Sequence, residues 1–137
     1  MIYVVINAFA ILTATLAGLA FGMAYYLLAD RAVTMPLHVG SAKLPALVAL
    51  AFVAEAWFAA ILAGALILAP PEADGWTMAI GSALVIWIGF IGPVVLVTHR
   101  YRGLMTRAAL IDCGHWLGVI IIQALVMQSI GLQMPPA

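Results

Sequence analysis

Charge is what this sequence has least of. Its 137 residues include five Lys and Arg and five Asp and Glu, so charged side chains make up 7% and cancel to zero net. A soluble domain carries about 25%. The shortage excludes a nucleic-acid partner, which needs a basic surface, and the zero balance gives no reason to propose an acidic one. Cysteine is nearly missing too. Cys113 stands alone, which excludes an intramolecular disulfide and a cysteine-cluster metal site. What fills the chain is apolar: 67% hydrophobic residues, with a mean hydropathy of +1.22. A domain of this length has too little interior to hide two thirds of its residues, and such hydrophobicity excludes a disordered chain. The lipid bilayer is the expected solvent and first partner.

Four apolar stretches, at about 2–28, 45–69, 76–98 and 104–131, are long enough to cross it. A crossing takes about 20 helical residues, at ~1.5 Å each. Backbone in hydrocarbon must satisfy its own hydrogen bonds, so each stretch is expected to be a helix. Their apolar residues run continuously instead of alternating, which argues against a β-barrel. Pro36 and Gly40 mark the first connection, Pro70, Pro71 and Gly75 the second, and Pro135 and Pro136 end the chain. The expected fold is all-α: a single domain, 1–137, forming a transmembrane four-helix bundle. The first stretch lacks a positive leader and exceeds the ~7–15 residues of a signal-peptide core, so it is expected to be a retained span.

Charge placement predicts the topology. Arg31, Lys43, Arg100, Arg102 and Arg107 all lie in or beside the first and third connections, whereas the 70–75 turn carries Glu72 and Asp74. The positive-inside rule puts the connections at 29–44 and 99–107 in the cytoplasm. Both termini then face the outer, periplasmic side of a bacterial inner membrane. Tyr25, Tyr26 and Tyr101 fall near the inner interface and Trp76 near the outer one, as aromatic belts do.

Ala10, Ala14, Gly18 and Gly22 recur every four residues in the first span. They form a flat ridge that a second helix can approach closely. Either the second or fourth span packs there, or a second copy does. Pro93 removes a backbone donor from the third span and predicts a kink.

Few polar groups interrupt the spans. Glu55 lies ~15 Å into the second and His115 ~12 Å into the fourth, counted at helical rise from the basic connections. A charge at such depth costs at least ~2.5–3.5 kcal/mol, so it pairs, protonates or faces water. Asp112, His115, Trp116, Val119 and Gln123 cluster on one side of their helix. That side is expected to face inward, with Glu55 meeting His115 and Asn7 meeting Gln123. A Glu–His pair exchanges a proton near neutral pH or simply locks two helices together. His38 and His99 share the cytoplasmic side with Asp30 and Asp112, where the ordinary reading is a solvated histidine and the sharper one a metal site. No haem-ligating histidine pair, HExxH, P-loop, nucleophile elbow or dinucleotide fingerprint appears. No cofactor or metal is expected, and an enzyme is disfavoured.

Three segments carry a likeness. Gly22-Met23-Ala24-Tyr25-Tyr26, Trp87-Ile88-Gly89-Phe90 and Ile111-Asp112-Cys113-Gly114-His115-Trp116-Leu117 resemble the Gly-x-x-Trp-Tyr, Trp-x-Gly-Phe and Ile-Asn-Ala-Gly-Tyr-His-Leu runs of DUF 1761, a family of small bacterial four-helix membrane proteins of unknown function. The family's Asn is Asp112 here, its Tyr-His order is replaced by His115-Trp116, and its Ser-Pro after the aromatic pair is Leu27-Leu28. The resemblance implies the fold and supplies no activity. Two roles stay open. One is a structural or accessory subunit, in a homo-oligomer or a larger membrane complex. The other is a small proton-coupled transporter or channel using Glu55, with His115 and Asp112 assisting.

Overall fold

A computed structural model describes residues 2–32, 43–70 and 72–136. Its helices are α1 (Ile2–Ile6), α2 (Ala8–Ala32), α3 (Leu44–Ile67), α4 (Gly75–Ile86), α5 (Gly92–Tyr101) and α6 (Thr106–Ile130), with a π-helical turn, Trp87–Ile91, between α4 and α5. Among the described residues, four helical runs are long and apolar enough to cross a membrane: Ala8–Ala29, Leu44–Ile67, Gly75–Tyr101 and Thr106–Ile130. These match the expected stretches to within a few residues, except that the first begins later. Asn7 separates α1 from α2, yet the hydrogen-bond ladder runs on through it, from Asn7 N to Tyr3 O and from Ile11 N to Asn7 O.

Local chemistry explains the breaks. Asp74 caps α4, its carboxylate accepting from Thr77 N at 2.8 Å and from Thr77 Oγ1 at 2.9 Å. The short polar chain satisfies backbone donors that the first helical turn leaves free. The Thr77 backbone donor, above all, holds the exposed Asp74 carboxyl below the usual carboxylate range. Pro93 supplies no donor, and the ladder adjusts just before it. Gly92 N reaches back five residues to Trp87 O, which makes the π turn. At the far end of α6, Gly131 takes φ +85°, a left-handed value that suits glycine. The chain then turns back over the first helix.

Helix α2 packs most extensively on α6, α3 lies chiefly against α2, and α4 and α5 lie against α6. Chain direction puts residues 68–70 and 72–74, the start of α1 and the end of α6 together, here called the terminal end. Arg100, Arg102 and Arg107 mark the opposite, basic end. Small residues line the apolar core: Ala10, Ala14, Ala59, Ala63, Ala79, Ala83 and Ala124, around Leu62, Ile120 and Met127. Large apolar side chains such as Phe9, Trp57, Val85 and Phe90 point outward. A fold stabilised by water exclusion alone would be inside out, whereas one bathed in lipid packs backbone to backbone through small residues.

Candidate functional site

Two glycines of α2 shape the site through the side chains they lack. A Cβ on Gly18 would stand 2.5 Å from Glu55 Oε2, 3.1 Å from Gln123 Nε2 and 3.2 Å from Val119 Cγ1. One on Gly22 would stand 2.6 Å from His115 Nε2. The bare backbone of α2 therefore admits an acid from α3 and an imidazole from α6. One turn further on, the Tyr26 hydroxyl donates to Asp112 Oδ1 at 2.9 Å. Positions 18, 22 and 26 share one face of the helix at ~6 Å intervals. Glu55, His115 and Asp112 thus succeed one another along a single line of α2, running from the interior to the basic end.

Glu55 is 3% exposed, and its Oε2 has no hydrogen-bond partner among the described residues. Gln123 beside it is fully buried. Its Nε2 donates to the Glu55 backbone carbonyl at 3.3 Å, and its Oε1 has no partner among the described residues. His115 is 6% exposed, with Nδ1 likewise unpartnered there. Its ring lies tilted on Tyr26 with centroids 4.5 Å apart, and Trp116 and Tyr25 pack close by. Tyr25 donates to the Ile111 carbonyl at 3.0 Å, and Trp87 Nε1 to that of Cys113 at 2.9 Å. Asp112 Oδ2 lies 2.9 Å from His99 Nε2, which ties the third span to the fourth.

Two expected contacts are not formed. Glu55 and His115 are not joined by an ion pair among the described residues; they sit a turn apart, on Gly18 and Gly22. Depth counting assumed that α3 and α6 start at one level. The Gln123–Glu55 bond shows α3 shifted towards the terminal end by up to ~9 Å at helical rise. Asn7 does not meet Gln123. It donates to Tyr3 O at 3.0 Å and Gln133 O at 2.9 Å, and accepts from Gln133 N at 2.8 Å. The tail that turns at Gly131 takes the place expected for Gln123.

The remaining predicted positions are also placed. Ala14 is fully buried in the apolar core, while Gly18 and Gly22 face the polar groups above. His99 is not a solvated loop histidine: its side chain is 15% exposed and faces Asp112. Tyr26 turns to Asp112, a role foreshadowed by its spacing of four from Gly22 on the ridge face. Among the described residues no group of three or more His, Cys, Asp or Glu could hold a metal ion. His38 and the Asp30 side chain, the other groups of that suggestion, lie outside the described residues.

A family model described as "Protein of unknown function (DUF1761)" matches residues 9–128. The match covers most of the chain and reaches into all four spans, and the chain belongs to this family. No curated protein and no solved structure shows significant similarity to it.

Proposed function

We propose that this chain is a small proton-coupled transporter or channel, with Glu55 as the group that binds and releases the proton. The observation that carries this reading is the Glu55 carboxyl itself, held against Gly18 with Oε2 unpartnered among the described residues. A purely structural lock gains stability by satisfying its polar groups, and a half-satisfied buried network is a poor one. A carboxyl with a free oxygen inside a membrane protein is instead suited to taking a proton. His115 and Asp112 continue the line towards the basic end and supply the next exchangeable positions.

In this reading the four spans form a transmembrane bundle in a bacterial inner membrane. Connections 29–44 and 99–107 are cytoplasmic, and the termini and the 70–74 turn lie outside. The gathering of all five basic residues at one end supports that orientation. The alternative of an accessory or oligomer-forming subunit finds less support. An oligomer seam on the ridge from Ala10 to Gly22 would have to displace Glu55, His115 and the apolar core that occupy it within the chain.

The test is proton flux into liposomes that hold the purified protein and an internal pH dye. The wild-type protein is expected to dissipate an imposed pH gradient faster than empty liposomes. Glu55→Gln is expected to fall to the empty-liposome rate while its thermal unfolding stays close to wild type. Equal flux through the wild-type and Glu55→Gln proteins refutes the proposal.

A further inference from the structure

The contact between Asp112 and His99 contains a proton that a neutral histidine and an ionised aspartate do not supply between them. His99 Nδ1 lies 2.9 Å from the Val95 carbonyl oxygen. A carbonyl only accepts, so Nδ1 carries a hydrogen, and that is the one N–H a neutral imidazole has. Nε2 then offers only a lone pair, yet it lies 2.9 Å from Asp112 Oδ2. Two acceptors at that distance repel unless a proton lies between them. The proton belongs either to an imidazolium facing a carboxylate or to a carboxylic acid facing an imidazole. Both descriptions have the same proton count, and in both the pair is neutral.

We infer that His99 and Asp112, oriented by Val95 and Tyr26, form a proton-binding site that loads the buried line at its basic end. This role rests on the proton-transport reading above, whereas the proton count does not. Position supports the role. The side chains of His99 and Asp112 are 15% and 31% exposed, so the pair lies between the sealed interior and the surface. Tyr26 links the two regions: its hydroxyl fixes Asp112 Oδ1 and its ring packs on His115. Among the described residues, the titratable groups placed around the pair are Tyr26 and Tyr25 on α2 and Cys113 and His115 on α6, and Arg107 stands at the start of α6. Arg100 and Arg102 stand at the end of the third span.

The step balances simply. The shared proton leaves along the face of α2 towards His115 and then Glu55, and the His99–Asp112 pair goes from neutral to a charge of −1. A proton from the aqueous side restores it. While the pair is empty, the two facing acceptors part, which loosens the hold of α5 on α6.

Imidazole ¹⁵N NMR of the wild-type protein in nanodiscs tests the proton count, with His99→Gln used to assign the resonance. The expected result is a His99 that carries a hydrogen on Nδ1 and shares a second one at Nε2 with Asp112. A neutral His99 protonated at Nε2 overturns the inference, whatever the flux. For the loading role, His99→Gln is expected to lose proton flux in liposomes and to regain it with millimolar added imidazole, above the rate that the same imidazole gives empty liposomes, as replacement of a missing proton carrier requires. Wild-type flux through His99→Gln beside a dead Glu55→Gln overturns the loading role and leaves the transport reading standing. Wild-type flux through Glu55→Gln overturns the transport reading and the loading role with it, and the NMR result then decides the proton-binding site alone.

Discussion

Gly22→Ala is the sharpest probe of the site, because one methyl group meets a ring that has nowhere to go. The added Cβ would lie 2.6 Å from His115 Nε2, about 0.8 Å short of the 3.4 Å at which ordinary contact begins. The imidazole cannot swing aside freely. Tyr26, Tyr25 and Trp116 pack around it with centroids 4.5, 5.7 and 5.1 Å away. Relief must come from shifting α6 against α2, the most extensive helix pair. Overpacking of this kind costs ~1–3 kcal/mol. Against it stands the ~0.8–1 kcal/mol that Ala gains over Gly in a helix. The net expectation is a loss of up to ~2 kcal/mol. Gly81→Ala is the matched reference, since a Cβ there meets nothing within 4 Å, and the propensity gain should appear undiminished. Reversible unfolding in mixed micelles, followed by tryptophan fluorescence, measures both. If Gly22→Ala proves as stable as Gly81→Ala, the close approach of α2 to His115 is wrong, and the polar line along α2 fails with it.

Two further predictions concern the terminal end. Asn7→Ala leaves both the N–H and the C=O of Gln133 without their side-chain partner. Stability should fall by ~1–3 kcal/mol, and the tail after Gly131 should be trimmed faster by carboxypeptidase. Unchanged trimming counts against the tail's return to the first helix. At the α4 cap the Asp74 carboxyl is held below its ordinary range by Thr77. The cap's contribution is therefore complete above the unfolded carboxylate value of ~3.9. It is lost as pH falls through the lower folded value. Asp74→Asn should keep a cap and lose this acid dependence in melts taken from pH 6 to pH 2; retained dependence points to another carboxyl.

The spans were the most legible part of the fold, because composition alone specifies them. Lipid demands about twenty apolar residues per crossing and a helical backbone, and Pro and Gly mark the ends. The edges at 45, 76 and 131 lie within two residues of α3, α4 and α6. The inward face of α6 was legible from periodicity, since Val119 and Gln123 are fully buried and His115 nearly so. Which polar group meets which was not legible. Pairing depends on how far one helix slides along another, and the sliding of α3 past α6 leaves no mark in either sequence. His99 was missed for a related reason: a histidine beside arginines reads as a solvated end until α5 is docked on α6. Tyr26 could have been found, because four residues past Gly22 it continues the ridge.

That ridge changes character along its length, and the change explains where the acid sits. Towards the terminal end it is Ala10 and Ala14, packed in a core with Leu62, Ile120 and Met127. Towards the basic end it is Gly18 and Gly22, facing Glu55, Gln123 and His115. An alanine methyl suits apolar neighbours, since it adds dispersion contact without holding the helices apart. Opposite a carboxyl the same methyl would replace peptide dipoles with hydrocarbon, where an ionised acid is costly. Glycine leaves the α2 backbone against Glu55. The small residues therefore do two different jobs under one spacing: alanine brings helices together, and glycine gives an acid in the membrane interior a polar wall to rest on.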